Sequence, residues 1–132
     1  MSKSNYLEDA ILDHQLGGPD YVRPGTVYFA LFTVTPTDAG GGTEVVGGNY
    51  ARVPMANNLV TFTSSVGGSK SNAVVIQFNT PSAGWGAVTS FGIFDALSGG
   101  NLLRWGPLTI PKTIDPGDLV NFAPGQLVCT ED

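Results

Sequence analysis

Short stretches in which apolar and polar residues alternate, separated by glycine- and proline-rich turns, make up most of the chain beyond residue 25. A two-residue period places successive side chains on opposite faces of a strand. The pattern predicts a mainly β fold, an antiparallel β-sandwich or jelly-roll-like domain of seven to eight short strands, and immunoglobulin-like strand order fits it equally well. We predict strands at residues 26–34, 59–63, 73–79, 87–94, 101–105, 108–110, 119–122 and 126–130.

One short N-terminal α-helix precedes these strands. Asn5 can cap it, Glu8 follows three residues later, and the glycines and proline at 17–19 mark its end. Because a helix of about three turns persists only when docked, its apolar stripe should contact the chain's own sheet or a neighbouring subunit. We therefore predict one domain over residues 1–132, with a helical arm at 1–18 and a β-sandwich at 26–132. The stripe consists of Tyr6, Leu7, Ala10, Ile11 and His14.

The stretch 26–34 is the clearest strand, and both of its faces are apolar. Because both faces are apolar, we predict a central strand covered on each side. One face should pack in the sandwich core, and the other beneath the N-terminal helix or a partner. The first face carries Val27, Phe29 and Leu31, and the second carries Tyr28, Ala30, Phe32 and Val34.

Residues 35–58 contain few large apolar side chains and two glycine clusters, at 40–42 and 47–48. We predict a long ordered loop here. Loops of this length inside a small domain are usually functional or held by contacts, so we expect residues 38–52 to touch a partner. A solvent-exposed Ω-loop is the alternative.

Charged residues make up 13% of the chain, against roughly 25% in an ordinary soluble domain. We expect neighbours to cover part of such a surface. The net charge is −5, and the six basic residues are scattered along the sequence, which argues against a nucleic-acid partner. The chain starts without a signal-peptide core, and no apolar run is long enough to span a membrane, so we expect a soluble protein without an export signal.

Residues for catalysis or metal binding are scarce. His14 is the only histidine and Cys129 the only cysteine, so neither a hydrolase triad nor a His- or Cys-based metal site can be assembled. We therefore predict a protein that is not an enzyme and uses no cofactor, with no catalytic, cofactor-binding or metal-binding residues. Trp85 and Trp105 could form a sugar-stacking platform, although packing in the core or an interface explains them better.

Several motifs, in a fixed order, resemble a widespread group of small phage and prophage proteins that are often labelled tail-fibre-like or structural. The resemblance covers most of the chain and implies a part of a phage particle, with no catalytic residues. The N-terminal motifs are Ser4-Asn5-Tyr6-Leu7-Glu8, Leu12-Asp13-His14, Val27-Tyr28-Phe29-Ala30-Leu31-Phe32 and Pro36-Thr37-Asp38. The later motifs are Gly42-Thr43-Glu44-Val45, Gly47-Gly48-Asn49-Tyr50-Ala51-Arg52, Phe91-Gly92-Ile93-Phe94-Asp95-Ala96, Gly99-Gly100-Asn101-Leu102-Leu103 and Trp105-Gly106.

The resemblance leaves two placements on the virion. We favour a capsid decoration, or cement, protein made in the host cytoplasm, which forms a homotrimer on the capsid surface and clamps the major capsid protein. The alternative is a tail-associated fibre or adaptor subunit that binds a tail protein or a host glycan. The predicted partner-contact residues are Tyr6, Leu7, Ala10, Ile11, His14, Asp38, Glu44, Tyr50 and Arg52.

Overall fold

A computed structural model describes residues 1–131 as a mainly antiparallel β structure with one helix. The elements are β1 (Ser2–Lys3), α1 (Asn5–Gln15), β2 (Thr26–Val34), β3 (Thr43–Glu44), β4 (Val53–Ala56), β5 (Ser69–Ser71), β6 (Ile76–Gln77), β7 (Gly86–Phe94), β8 (Leu102–Ile114), β9 (Asn121–Phe122) and β10 (Val128–Thr130). The largest sheet has six strands in the order β1-β8-β7-β2-β3, and β4 also pairs with β2. Two small ribbons, β10-β5 and β6-β9, accompany it. The sandwich-like, mainly β prediction is therefore confirmed.

Strand β2 is covered on both faces over most of its length, as its apolar pattern predicts. Phe29 is fully buried in the main core, which also contains Leu7 of α1. On the opposite face the ring of Phe32 stacks on Phe94 with centroids 6.1 Å apart, and it lies so close to Gly92 that a Cβ there would be 2.8 Å from the ring. The chain's own side chains thus cover Ala30 and Phe32 on the second face, without the helix, whereas Val34 at the end of the strand is 56% exposed.

The predicted strand at 59–63 does not form, because residues 59–61 make a turn and Phe62 forms only an isolated antiparallel bridge with Asn72. The side-chain oxygen of Asn58 accepts hydrogen bonds from the backbone N–H groups of Val60 and Thr61, at 3.0 and 3.1 Å. This local bonding competes with strand pairing. Val60 is 77% exposed as a result.

The predicted long loop at 35–58 contains two strands, β3 and β4, that pair with β2 along the same edge. Gly42 has a φ of 73°, and a Cβ there would be 2.6 Å from the carbonyl oxygen of Val34. Only glycine fits this tight return, which brings Thr43 back beside Val34. The segment is therefore part of the sheet and not a free loop.

Other predicted strands differ mainly in their extent. The two predicted at 101–105 and 108–110 form one strand, β8, whose register against β7 shifts between Val88 and Ser90. Those predicted at 73–79, 119–122 and 126–130 shorten to β6, β9 and β10, because only their central residues find a partner strand. The sequence pattern did not predict strands β1 and β5. No helix within residues 1–131 has the length and apolar character needed to cross a membrane.

The N-cap of helix α1 lies one residue before the predicted one. Ser4, not Asn5, is the N-cap, and its hydroxyl oxygen accepts from the backbone N–H of Leu7 at 3.2 Å while donating to the carbonyl of Leu102. Strand β1, at residues 2 and 3, pairs with β8. The segment 1–18 is thus attached to the chain's own sheet at its start and through the buried Leu7.

The hydroxyl of Ser90 on β7 is buried and has no hydrogen-bond partner among residues 1–131. Burying an unpaired hydroxyl costs about 1–3 kcal/mol. We expect Ser90→Ala to raise the free energy of unfolding by about 1 kcal/mol in urea denaturation. Ser4→Ala is the matched control, since Ser4 is equally buried but bonded, and it should lose about 1 kcal/mol. Equal losses in both variants would contradict the prediction.

Candidate functional site

The predicted contact residue His14 holds a turn. Its Nδ1 atom accepts a hydrogen bond from the backbone N–H of Tyr21 at 3.0 Å and lies 3.7 Å from a carboxylate oxygen of Asp20. Its side chain is exposed and does not join the buried side of α1. Within residues 1–131, no three His, Cys, Asp or Glu side chains converge as metal ligands.

The stripe predicted on α1 divides between core and solvent. Leu7 is 6% exposed and Ile11 packs against the same core. Tyr6 is 45% exposed, and Ala10 is half-buried. One side of the helix therefore docks on the chain's own sheet, and the other side faces solvent.

Glu44, Tyr50 and Arg52, all predicted to touch a partner, bind one another. The Glu44 carboxylate accepts two hydrogen bonds from the Arg52 guanidinium, at 2.8 and 2.9 Å, and a third from the Tyr50 hydroxyl at 2.7 Å. Such a bidentate pair is both strong and directional. Burial, and then the bond to Glu44, raise the pKa of Tyr50 far above its ordinary value, so this hydroxyl keeps its proton. It also accepts from the backbone N–H of Leu31.

Arg52 extends this cluster to the turn that follows β7. Its Nη1 atom donates to the backbone carbonyls of Ala96 and Gly99, at 2.8 and 2.9 Å, and its guanidinium lies 3.6 Å from the ring centroid of Phe94. The residue is only 9% exposed. The cluster thus fastens β3, β4 and the turn at 95–101 to one another, and its groups are turned toward the chain itself.

Trp85, Trp105 and Asp38 also form hydrogen bonds within the chain. Trp85 is 4% exposed, donates from Nε1 to the carbonyl of Gly48 at 2.9 Å, and meets Tyr50 edge-on with ring centroids 5.3 Å apart. It offers no face on which a sugar could stack, so this part of the platform hypothesis is wrong. Trp105 is half-buried and donates from Nε1 to the carboxylate of Asp38 at 2.8 Å.

A cleft of about 400 Å³ lies between α1, the large sheet and the β10-β5 ribbon. Its floor is apolar, and it includes Cys129, whose pKa is raised by burial. A concave apolar surface with a few polar groups at its rim is the usual form of a binding site. The apolar side chains of the floor are Leu7, Ile11, Val27, Phe62, Ile93 and Leu103.

Three basic side chains, Arg23, Lys70 and Arg104, line this cleft together with one acidic residue, Glu131. Burial raises the pKa of Glu131, but hydrogen bonds from Lys3 and Arg104 outweigh it and lower that pKa. The sequence showed only scattered basic residues, because these three come from distant segments that meet by folding. No periodicity in the sequence could have joined them.

A family model described as podophage GP4 fiber I protein gp80 matches residues 2–130. The chain has no match among curated proteins. The family is one of structural fibre proteins and is not a known enzyme family, and its description favours the tail-fibre alternative over the cement interpretation. The chain therefore belongs to the podophage GP4 fiber I protein gp80 family and is a structural protein of the phage virion.

Proposed function

We propose that this chain is a tail-associated fibre subunit, a knob or adaptor that self-associates as a homotrimer and joins the fibre to another tail protein. The family match over residues 2–130 carries this proposal, since it extends over almost the whole chain. The fold suggests which part of a fibre it forms. Shafts are built from long repeats or coiled coils, whereas residues 1–131 contain one helix of eleven residues and many short strands.

The surface supports a role based on contacts with neighbours. Charged residues are few, and several large apolar side chains are well over half exposed. Single exposed apolar residues are normal, but a surface with this many and so few charges is typical of a protein that is covered in its assembly. The most exposed are Leu16, Val22, Val46, Val60, Val66 and Ile110.

A head decoration protein bound to the major capsid protein is the second candidate. It is favoured by the lack of any shaft within residues 1–131, since a small trimeric clamp needs none. The apolar second face of β2 is a weaker argument for a partner than its sequence suggests, because the chain itself covers most of that face. A host glycan as partner would need a surface other than Trp85, which is buried.

The position of the chain on the particle tests the proposal. Phage that lack the protein are supplied with a purified, tagged copy, and the tag is located and counted by cryo-electron microscopy. We expect a few copies at the tail and none on the head lattice. Many copies spread over the head would replace the fibre proposal with the decoration role. Particles supplied with untagged protein provide the control for unspecific labelling.

A further inference from the structure

The solvent side of α1 carries two leucines and two aspartates on one face. Asp9, Leu12, Asp13 and Leu16 follow the i, i+3, i+4, i+7 spacing that places side chains on a single helical face. Leu12 is 55% exposed and Leu16, at the C-cap, is 80% exposed. The cleft lies on the opposite side of the helix, against Leu7 and Ile11. We call these four residues the outer face of α1.

The cleft has the opposite charge. Three basic residues and one acidic residue line it, so the net charge of its lining is +2. The rest of the chain has three basic and ten acidic residues. Arg23 and Lys70 form no ion pair within residues 1–131, and neither do Asp9 and Asp13 of the outer face. The same molecule therefore carries an acidic helical face with two leucines and a basic cleft with an apolar floor. Within the described chain, Asp9 and Asp13 on the first surface and Arg23 and Lys70 on the second have no ion-pair partner.

We infer that the outer face of α1 in one copy docks in the cleft of a second copy. Leu12 and Leu16 would enter the apolar floor, and the two aspartates would approach Arg23 and Lys70. This is the helix-in-groove form of recognition, in which apolar anchors give affinity and rim charges fix orientation. The inference rests on the proposed self-association of the subunit and names the surfaces that produce it.

The arrangement of the two surfaces determines the kind of assembly. They lie on opposite sides of one helix, so each copy offers an outer face to one neighbour and a cleft to another. Such a contact is heterologous, and it either closes into a ring, as in the proposed trimer, or continues as a row. It also places the α1 helices of adjacent copies side by side.

Charge reversal tests the contact. Purified chains are compared by sedimentation equilibrium over a range of concentrations. We expect Asp9→Lys with Asp13→Lys, and separately Arg23→Glu with Lys70→Glu, to weaken self-association at least about tenfold, because like charges then face each other. Combining all four substitutions restores opposite charges across the contact and should recover most of the affinity.

Two matched controls separate this contact from general effects of charge or polarity. Lys112→Glu reverses an exposed basic residue on β8 outside the cleft and should leave self-association unchanged. Leu16→Ala should weaken it roughly tenfold, whereas Leu119→Ala, at a leucine exposed to 71%, should not. Because Asp9, Asp13, Arg23 and Leu16 are all exposed, their variants are expected to fold. Thermal unfolding of each variant checks this.

A wild-type chain that stays monomeric at every concentration would overturn the inference. The inference would also be overturned if neither pair of charge reversals weakened self-association, or if combining all four substitutions did not restore it. In these last two cases the proposed fibre role stands, since it is measured independently by the position of the tag on the particle.

Discussion

Replacing Arg52 with alanine is expected to lower the free energy of unfolding by about 3–5 kcal/mol, because it leaves a largely buried carboxylate without its partner. Glu44 would lose both guanidinium bonds, and the carbonyls of Ala96 and Gly99 would lose their donor. The stacking of the guanidinium on Phe94 would go as well. Urea denaturation followed by the fluorescence of the buried Trp85 measures the loss.

Lys112→Ala is the matched control, since it removes an exposed basic side chain and should change stability by less than about 0.5 kcal/mol. A double-mutant cycle with Glu44→Gln then isolates the pair, and coupling above about 1 kcal/mol is expected. If Arg52→Ala cost no more than Lys112→Ala, the cluster could not be what fastens β3 and β4 to the turn after β7.

The long central strands could be predicted closely because their signal is local. Residues 26–34 match β2 at both ends, and the prediction at 87–94 differs from β7 by one residue. Both stretches are rich in β-branched and aromatic side chains that alternate between two buried faces. The coverage of most of β2 on both sides follows from the same pattern, although the sequence could not show that the ring of Phe32 packs over Gly92.

Short strands depend on distant partners, and there the sequence was a poor guide. Strands β3 and β4 lie in a glycine-rich segment and form only because β2 offers them a free edge. Conversely, residues 59–63 have the composition of a strand, but the side chain of Asn58 bonds the backbone that a strand would need. In both cases contacts outside the apolar pattern decide the outcome.

The candidate site shows the same limit. Glu44, Tyr50 and Arg52 stood out as polar and aromatic residues on a glycine-rich segment, and the structure joins them into an internal cluster. The cleft escaped prediction because Arg23 and Lys70 are 47 positions apart in sequence and meet only when β5 folds beside the sheet. Contact of the nine predicted residues with a partner stays a prediction.

Asn72→Ala is expected to lower the free energy of unfolding by about 3 kcal/mol or more, because one buried side chain serves several backbone groups. Asn72 is 1% exposed. Its amide nitrogen donates to the carbonyls of Val74 and Ala123, at 2.8 and 3.0 Å, and its oxygen accepts from the N–H of Leu127 at 3.0 Å. Each buried group left unpaired costs about 1–3 kcal/mol. Urea denaturation measures the loss, and Asn5→Ala, at an exposed asparagine that is not the helix cap, should change little.

Asn72→Asp separates the role of hydrogen bonding from that of packing, since aspartate keeps the shape but cannot donate when ionised. Burial against the carbonyls of Val74 and Ala123 should raise the pKa of the new carboxyl above its unfolded value of about 3.9. The loss in free energy of unfolding relative to the wild type should then be smallest below about pH 4. It should grow as pH rises toward the pKa of the carboxyl in the folded state. A stability difference that does not change between pH 4 and pH 7 would show that Asn72 acts by filling space, and that the segments at 72–74 and 122–127 are held together by other contacts.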